Sequence, residues 1–268
     1  MFKGVAYVLS ENVQNVYRIF SISKYELKAD IEDAKLGFFW NLASPAIQIA
    51  TYWFVFGFVF NRNEVDGIDF LSWLLGGMVV WFFVSPCITK GCNAIFNKVN
   101  IITKMKFPVS ILPATVIFKE AFNHVCLLAV VMVLFSCLGH YPDIHWLELV
   151  YYMVCAIVFG IALSLTTSVL TMLARDVRLF VNSIMRLLMY LTPMFWNINS
   201  LSSAKIRFII KLNPIFYLVS GYRDCFFYHE GILFYWKQML VFWCWTLVLF
   251  FIGSAIMYRF RNKFIDLV

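Results

Sequence analysis

Long unbroken apolar runs alternate along this chain with short polar loops, and six of the runs are long enough to cross a membrane. A hydrocarbon core of about 30 Å needs roughly 20 apolar residues in a helix. The six runs are Leu42 to Phe60, Phe70 to Ile88, Ala114 to Leu138, Trp146 to Leu173, Leu179 to Trp196 and Met239 to Tyr258. Their apolar residues are continuous rather than alternating, which predicts helices and not a β-barrel. The expected fold is an all-α membrane protein forming one domain. Residues 1–40 precede the spans as an interface region, 42–258 form a six-helix bundle, and 259–268 are a tail.

Two stretches depart from this rhythm. In the N-terminal segment, Val13, Val16, Tyr17, Phe20 and Leu27 fall at helical spacing, with Asn12, Asn15 and Arg18 between them. This pattern predicts an amphipathic helix lying on the membrane surface or packed on the bundle. The connection from Asn197 to Gln238 is semi-apolar and is interrupted at Asn213-Pro214. It predicts two short helices, each near ten residues and too short to span, that dip into the membrane and return.

Composition supports lipid as the solvent. Of 268 residues 62% are hydrophobic and only 14% charged, and the mean hydropathy is +0.79. Soluble domains carry roughly 25% charged residues. The net charge of +7 would suggest nucleic acid in a soluble protein, but here the basic residues sit between apolar runs and report topology. Lys3, Arg18, Lys24, Lys28 and Lys35 lie before the first span, Lys90, Lys98, Lys104 and Lys106 after the second, Arg175 and Arg178 after the fourth, and Arg259, Arg261 and Lys263 after the sixth. The loops after the first and third spans are acidic or lack Lys and Arg. Six spans with both termini cytoplasmic satisfy these signals; the positives between spans five and six, Lys205, Arg207, Lys211, Arg223 and Lys237, run against the rule. No apolar region follows a basic start at the N-terminus, so the internal spans are expected to direct insertion.

Little in the chain suggests catalysis. It has no G-x-x-x-x-G-K-[ST], so no P-loop is expected to bind ATP here, and no G-x-S-x-G, H-E-x-x-H or carboxylate pair inside a span. The seven cysteines form no C-x-x-C pair and read as packing residues, so no metal site is expected. His140, His145 and His229 read as interfacial residues, and His124, within the third span, as a packing or hydrogen-bonding residue.

Three segments carry a resemblance: Asp33 to Pro45 (DAKLGFFWNLASP), Arg175-Asp176-Val177-Arg178 between spans four and five, and Asn213 to Arg223 (NPIFYLVSGYR) following a fifth span that contains Thr192-Pro193. In that order they resemble the permease subunits of ABC transporters that export polysaccharides, including O-antigen, capsule and teichoic-acid exporters. Tyr222, Arg223 and Asp224 look most like the teichoic-acid permeases. The resemblance implies a permease homodimer joined by two copies of a separate ATPase that binds the ATP and magnesium, a lipid-linked polymer as substrate, and a bacterial cytoplasmic membrane location. It places the ATPase-coupling loop around Asn93 to Lys106, with Asn93, Phe96, Asn97, Lys98, Lys104 and Lys106 as contact candidates. That loop is basic, short and bounded by Pro86 and Pro108, which suits a stiff coupling helix.

A polymer route also makes sense of an aromatic content of 19%. Aromatic rings offer sugars a flat contact, and Tyr52, Phe56, Phe60, Trp81 and Phe82 are the channel-lining candidates. Arg186, Arg207 and Arg223 are candidates for contact with substrate phosphates, because a guanidinium matches phosphate geometry. Lys119 and Glu120, at the start of span three, can reach lipid headgroups, and Glu120 can pair across a dimer. Besides teichoic acid, O-antigen or capsular polysaccharide remains open as cargo. A stand-alone carrier and an intramembrane lipid-processing enzyme remain as other classes.

Overall fold

The structure, a computed structural model, describes residues 2–32, 37–104 and 107–261. In chain order its helices are α1 (Phe2–Gln14), α2 (Val16–Glu32), α3 (Gly37–Tyr52), α4 (Phe70–Gly91), α5 (Val99–Ile102), α6 (Leu112–Cys137), α7 (Glu148–Leu173), α8 (Asp176–Leu191), α9 (Ala204–Lys211), α10 (Pro214–Arg223) and α11 (Trp236–Phe260). A π-helical turn, Trp53–Val59, extends α3. Strands β1 (Glu64–Val65) and β2 (Ile68–Asp69) form a small antiparallel hairpin before α4. Its Asp66-Gly67 turn has positive φ at both residues, the geometry that suits the right-handed twist of a tight hairpin.

Among the described residues five helical stretches are long and apolar enough to cross a membrane: Phe39–Val59, Phe70–Gly91, Val109–Cys137, Ile144–Leu173 and Trp236–Phe260. The chain is an integral membrane protein. The stretch expected as a fifth span behaves differently. Helix α8 stops at Leu191, and 16 residues reach about 24 Å, short of the hydrocarbon thickness. It is amphipathic, burying Val181, Met185 and Met189 and exposing Ser183, Arg186 and Leu187. Thr192 to Trp196 then form a bend whose Thr192, Met194 and Phe195 are buried.

Helix α4 is the axis of the bundle and packs against α6, α7, α8 and α10. Asp69 caps it, its Oδ2 accepting from the backbone N–H groups of Leu71 and Ser72 at 3.0 and 3.3 Å. Gly76 and Gly77 allow another chain segment to come close: a Cβ on Gly76 would meet the Phe227 ring at 2.8 Å, and one on Gly77 would strike the Arg223 guanidinium. That segment is α10, which packs on α4, α7 and α11 and buries most of its length. The break expected at Asn213-Pro214 is where α10 begins. Asn213 Oδ1 caps Ile215 N–H at 3.0 Å while its Nδ2 donates to Thr192 Oγ1 at 2.9 Å. Helix α9, on the other side of the break, buries none of its residues.

The amphipathic N-terminal segment is two helices broken at Asn15. Val13, Val16, Tyr17 and Phe20 of the expected stripe are exposed, whereas Leu27 is buried with Ile19 and Ser23. Exposed apolar side chains beside spanning helices suit a helix at the lipid surface. Helix α1 lies along α11: Gly4 sits against the Ser254 carbonyl, and the Tyr7 and Tyr258 rings are 5.7 Å apart. Helix α2 packs on α6. Residues 33–36 of the Asp33 to Pro45 motif, Lys106 of the expected coupling loop, and the tail beyond Arg261 lie outside the described residues.

Candidate functional site

A polar cleft of about 830 Å³ opens where α2, the C-terminal end of α4, the following loop and α6 meet. Three ion pairs frame it. Lys98 in the loop meets Glu26 of α2 at 2.5 Å, Lys119 of α6 meets Asp30 of α2 at 2.5 Å, and Lys90 at the end of α4 meets Glu120 of α6 at 2.7 Å. Lys119 and Glu120, expected at headgroups or across a dimer, are therefore both engaged inside the chain. The acidic partners on α2 escaped the sequence reading, because nothing local marks Glu26 or Asp30 as facing a lysine about 70 to 90 residues further along.

The loop is a succession of short turns. Asn93 N–H bonds Lys90 O at 3.1 Å, Asn97 N–H bonds Asn93 O at 2.9 Å, a 3₁₀ turn covers Phe96–Lys98, and α5 follows. The single stiff coupling helix expected here is thus replaced by a compact helical knuckle. Pro86, expected to bound the loop, lies inside α4. Cys92, Ala94, Ile95 and Ile102 are buried and anchor the knuckle, while Phe96, Asn97, Asn100, Ile101, Thr103 and Lys104 are exposed. Of the contact candidates, Phe96, Asn97 and Lys104 are presented outward. Asn93 turns partly inward, its Nδ2 on Thr89 O at 3.1 Å, and Lys98 is held by Glu26. The α7–α8 turn joins the same end: the Arg175 guanidinium lies 5.6 Å from the centre of the Phe96 ring.

The channel-lining candidates separate into two groups. Tyr52, Phe56 and Phe60 form a row along α3 and its π-helical turn, with Phe56 stacked on Phe60 at 5.8 Å. Phe195, from the bend after α8, joins it, 4.7 Å from Tyr52 and 5.0 Å from Phe56. Phe195 was not singled out from sequence, since only the bend brings it to α3. Trp81 is buried within the chain's own core and Phe82 is half-buried, so Trp81 does not line an open surface of this chain.

The phosphate-contact candidates also separate. Arg186 is exposed on α8, with Nη2 3.4 Å from Ser183 Oγ, and Arg207 is half-buried on α9. Arg223 is corrected outright. It is 5% exposed, its Nε donates to Trp73 O at 3.2 Å, Nη1 to Pro193 O at 2.6 Å and Nη2 to Met194 O at 3.0 Å, and its guanidinium lies 3.4 Å from the centre of the Trp73 ring. A guanidinium so buried, with three of its five N–H donors given to backbone carbonyls, ties α10, α4 and the bend together rather than standing out to meet a polymer phosphate. Its neighbours Tyr222 and Asp224 are fully buried too. Burial pushes the Asp224 carboxyl up to about 6. His124 meets the expectation of a bonding role, its Nε2 lying 2.8 Å from Tyr222 Oη.

The sequence is similar to proteins of known class. The sequence matches the ABC-2 type transporter family over residues 17–227. It is 25% identical to the O-antigen export system permease protein RfbA of Myxococcus xanthus over 213 residues, 79% of this chain and 81% of that one. It is 23% identical to the protein of the same name from Klebsiella pneumoniae over 248 residues, 92% of this chain and 93% of that one. The family match alone covers most of the chain, from within α2 to the turn that follows α10, and on that ground the chain belongs to the ABC-2 type transporter family of membrane permeases.

Proposed function

We propose that this chain is the membrane subunit of an ATP-driven exporter that carries a lipid-linked polysaccharide of O-antigen type out of a bacterial cytoplasm. The relatives favour O-antigen over teichoic acid. The Tyr222-Arg223-Asp224 triplet, which pointed to teichoic acid, is buried and serves the fold. The observation that carries the reading is the knuckle at the cleft end. It presents an apolar and a polar edge, Phe96, Asn97, Ile101 and Lys104, on a base seated directly on the central helix. A partner that grips this edge moves α4 with it. In this reading the partner is a separate ATPase holding ATP and magnesium, two copies of each subunit assemble, and the cleft end with both termini faces the cytoplasm.

Helix α8 and the bend after it make the sixth crossing in this arrangement, with α9 and α10 returning on the outer side. The face of α3 that carries Tyr52, Phe56 and Phe60, with Phe195, borders the polymer route. Arg186 and Arg207 meet phosphates on the passing lipid-linked substrate. An apolar groove of about 360 Å³ between α1, α2, α6, α7 and α11 is open to the membrane beside the surface helices and suits the substrate's hydrocarbon anchor.

The test is affinity purification of the tagged full-length chain in mild detergent, with identification of what co-elutes and an ATPase assay. A stoichiometric P-loop ATPase that is lost in a Phe96→Ala/Asn97→Ala variant supports the reading. Elution of the chain alone, with no ATPase activity in several detergents, removes it in favour of a stand-alone carrier.

A further inference from the structure

The end of the bundle opposite the cleft carries a cluster that polymer transport leaves unused. The loop between α6 and α7 presents Asp143 and His145, and the turn after α10 delivers His229 from the other side. One ligand-capable atom from each of the three lies within 4.8 Å of the others. The two imidazole rings have centroids 5.3 Å apart, and His229 Nδ1 is 3.7 Å from Asp143 Oδ2. Glu148, one helical turn on, places Oε1 3.1 Å from His145 Nδ1. His229 is held where it is by the backbone: its N–H closes the preceding turn onto Asp224 O at 2.9 Å.

A second observation points to a cation. Asp224 lies close enough for its carboxylate to feel the charges of Glu148 and His145, and it is fully buried. Neither of its oxygens makes a hydrogen bond of ordinary geometry. The second carboxylate oxygen of Glu148 is also buried without a partner. Two carboxylates gathered in a poorly solvated place, with their lone pairs unanswered, are costly unless positive charge sits among them.

The geometry points to a divalent transition-metal site, and we propose that Asp143, His145 and His229 bind zinc. Two imidazole nitrogens and a carboxylate are the donor set of a borderline-soft ion, while calcium and magnesium demand more oxygen ligands. Ligand atoms around tetrahedral zinc lie roughly 3.3 Å apart at the usual bond lengths. Closing the present triangle to that size takes a shift of about 1.5 Å, within the reach of side-chain rotation on two loops. Glu148 on His145 supplies the partner that metal-bound imidazoles ordinarily keep on their second nitrogen. A bound ion would staple the α6–α7 loop to the turn after α10, and so fix the two pieces of backbone that rim this end of the bundle.

The experiment is a zinc titration of the full-length chain in nanodiscs, purified through a tag without histidines and stripped with a chelator. Bound metal is counted by elemental analysis and the affinity read by calorimetry; cobalt substitution reports tetrahedral geometry from its visible absorption. One zinc per chain is expected, with an affinity at least 100-fold weaker in His145→Ala/His229→Ala. His140→Ala, whose ring packs on Phe227 outside the cluster, leaves it unchanged. If the double variant fails to elute as a monodisperse particle, Asp143→Asn on the exposed loop is titrated in its place and is expected to lose at least tenfold. Substoichiometric zinc in the wild type, unchanged affinity in the variants, or magnesium binding as tightly as zinc overturns the proposal.

Discussion

Helices α3 and α4 follow one another in the chain, are nearly equal in length as spans, and are both apolar, yet they occupy opposite situations. The α4 span, with 22 residues, has 78% of its most apolar stretch buried within the chain; the span containing α3, with 21 residues, has 6%. Aromatic content does not separate them, because α4 carries Phe70, Trp73, Trp81, Phe82 and Phe83 and buries most of these rings; the difference lies in what packs on each helix. Gly76 and Gly77 let α10 come close to α4, and Ser72 is buried on the same helix. Of the five large aromatics between Trp53 and Phe60, by contrast, Trp53, Phe54, Phe58 and Phe60 are exposed. In a bilayer apolarity does not bring helices together, because lipid is as apolar as leucine; close contact between small residues and satisfied polar groups does. An apolar run therefore selects the membrane, and the close contacts a helix makes, such as those at Gly76 and Gly77, decide whether protein or lipid covers it.

The largest effect that would break this comparison is expected at the contact between α4 and α10. Arg223→Ala leaves the carbonyls of Trp73, Pro193 and Met194 without donors and opens a hole over the Trp73 ring. A loss of about 3 kcal/mol or more is expected, measured as thermal unfolding in detergent. Gly77→Leu attacks the same contact from the other side and should unfold the chain to a similar degree. If either variant melts with the wild type, α4 is not the organising core.

A smaller effect is expected on α3, and of another kind. A Trp53→Ala/Phe58→Ala variant should change the melting of the single chain by under about 0.5 kcal/mol. If the face of α3 meets a second copy, the same variant should weaken self-association by about tenfold, or roughly 1.4 kcal/mol, read from single-molecule counting in nanodiscs. Unchanged self-association would assign that face to lipid.

The cleft should respond least in stability. Lys98→Glu opposes Glu26 and is expected to cost about 1 kcal/mol or less, as partly exposed ion pairs do. The swap Lys98→Glu/Glu26→Lys should recover most of that loss. Arg186→Gln, on the exposed face of α8, should leave melting within about 0.5 kcal/mol and lower polymer export in cells. Full export from that variant would remove Arg186 from the polymer route.

Much of the fold was legible because it depends on near neighbours. Continuous apolar runs located the five long helices to within a few residues, and Asn213-Pro214 located the start of α10 because the pair is both a breaker and a cap. What stayed hidden depends on distant partners. Arg223 resembled other basic residues between spans, and only the bend at Thr192 to Trp196 supplies two of the three carbonyls that hold it. The fifth apolar run was long enough on paper, but Asp176, Ser183 and Arg186 give α8 a polar face, and Thr192-Pro193 ends it early. At the candidate cleft, the basic residues of the loop were visible and the acidic residues of α2 that answer them were not. His145 and His229 looked like separate interfacial residues because the contact between them is made by two loops, neither of which shows a periodic pattern.

The docking of α1 on α11 joins the first helix made to the last. During synthesis the ribosome releases Phe2–Gln14 long before Trp236–Phe260 exists, so the surface on which Gly4 will be buried comes last, whereas Val8 meets most of its cluster earlier, at Ile95, Val109, Leu112 and Leu165. The contact between α1 and α11 is therefore a late one. A chain stalled before Trp236 therefore displays an N-terminal helix held only by its earlier contacts, such as Glu11 and Asn12 on Ser110, and without its α11 seat.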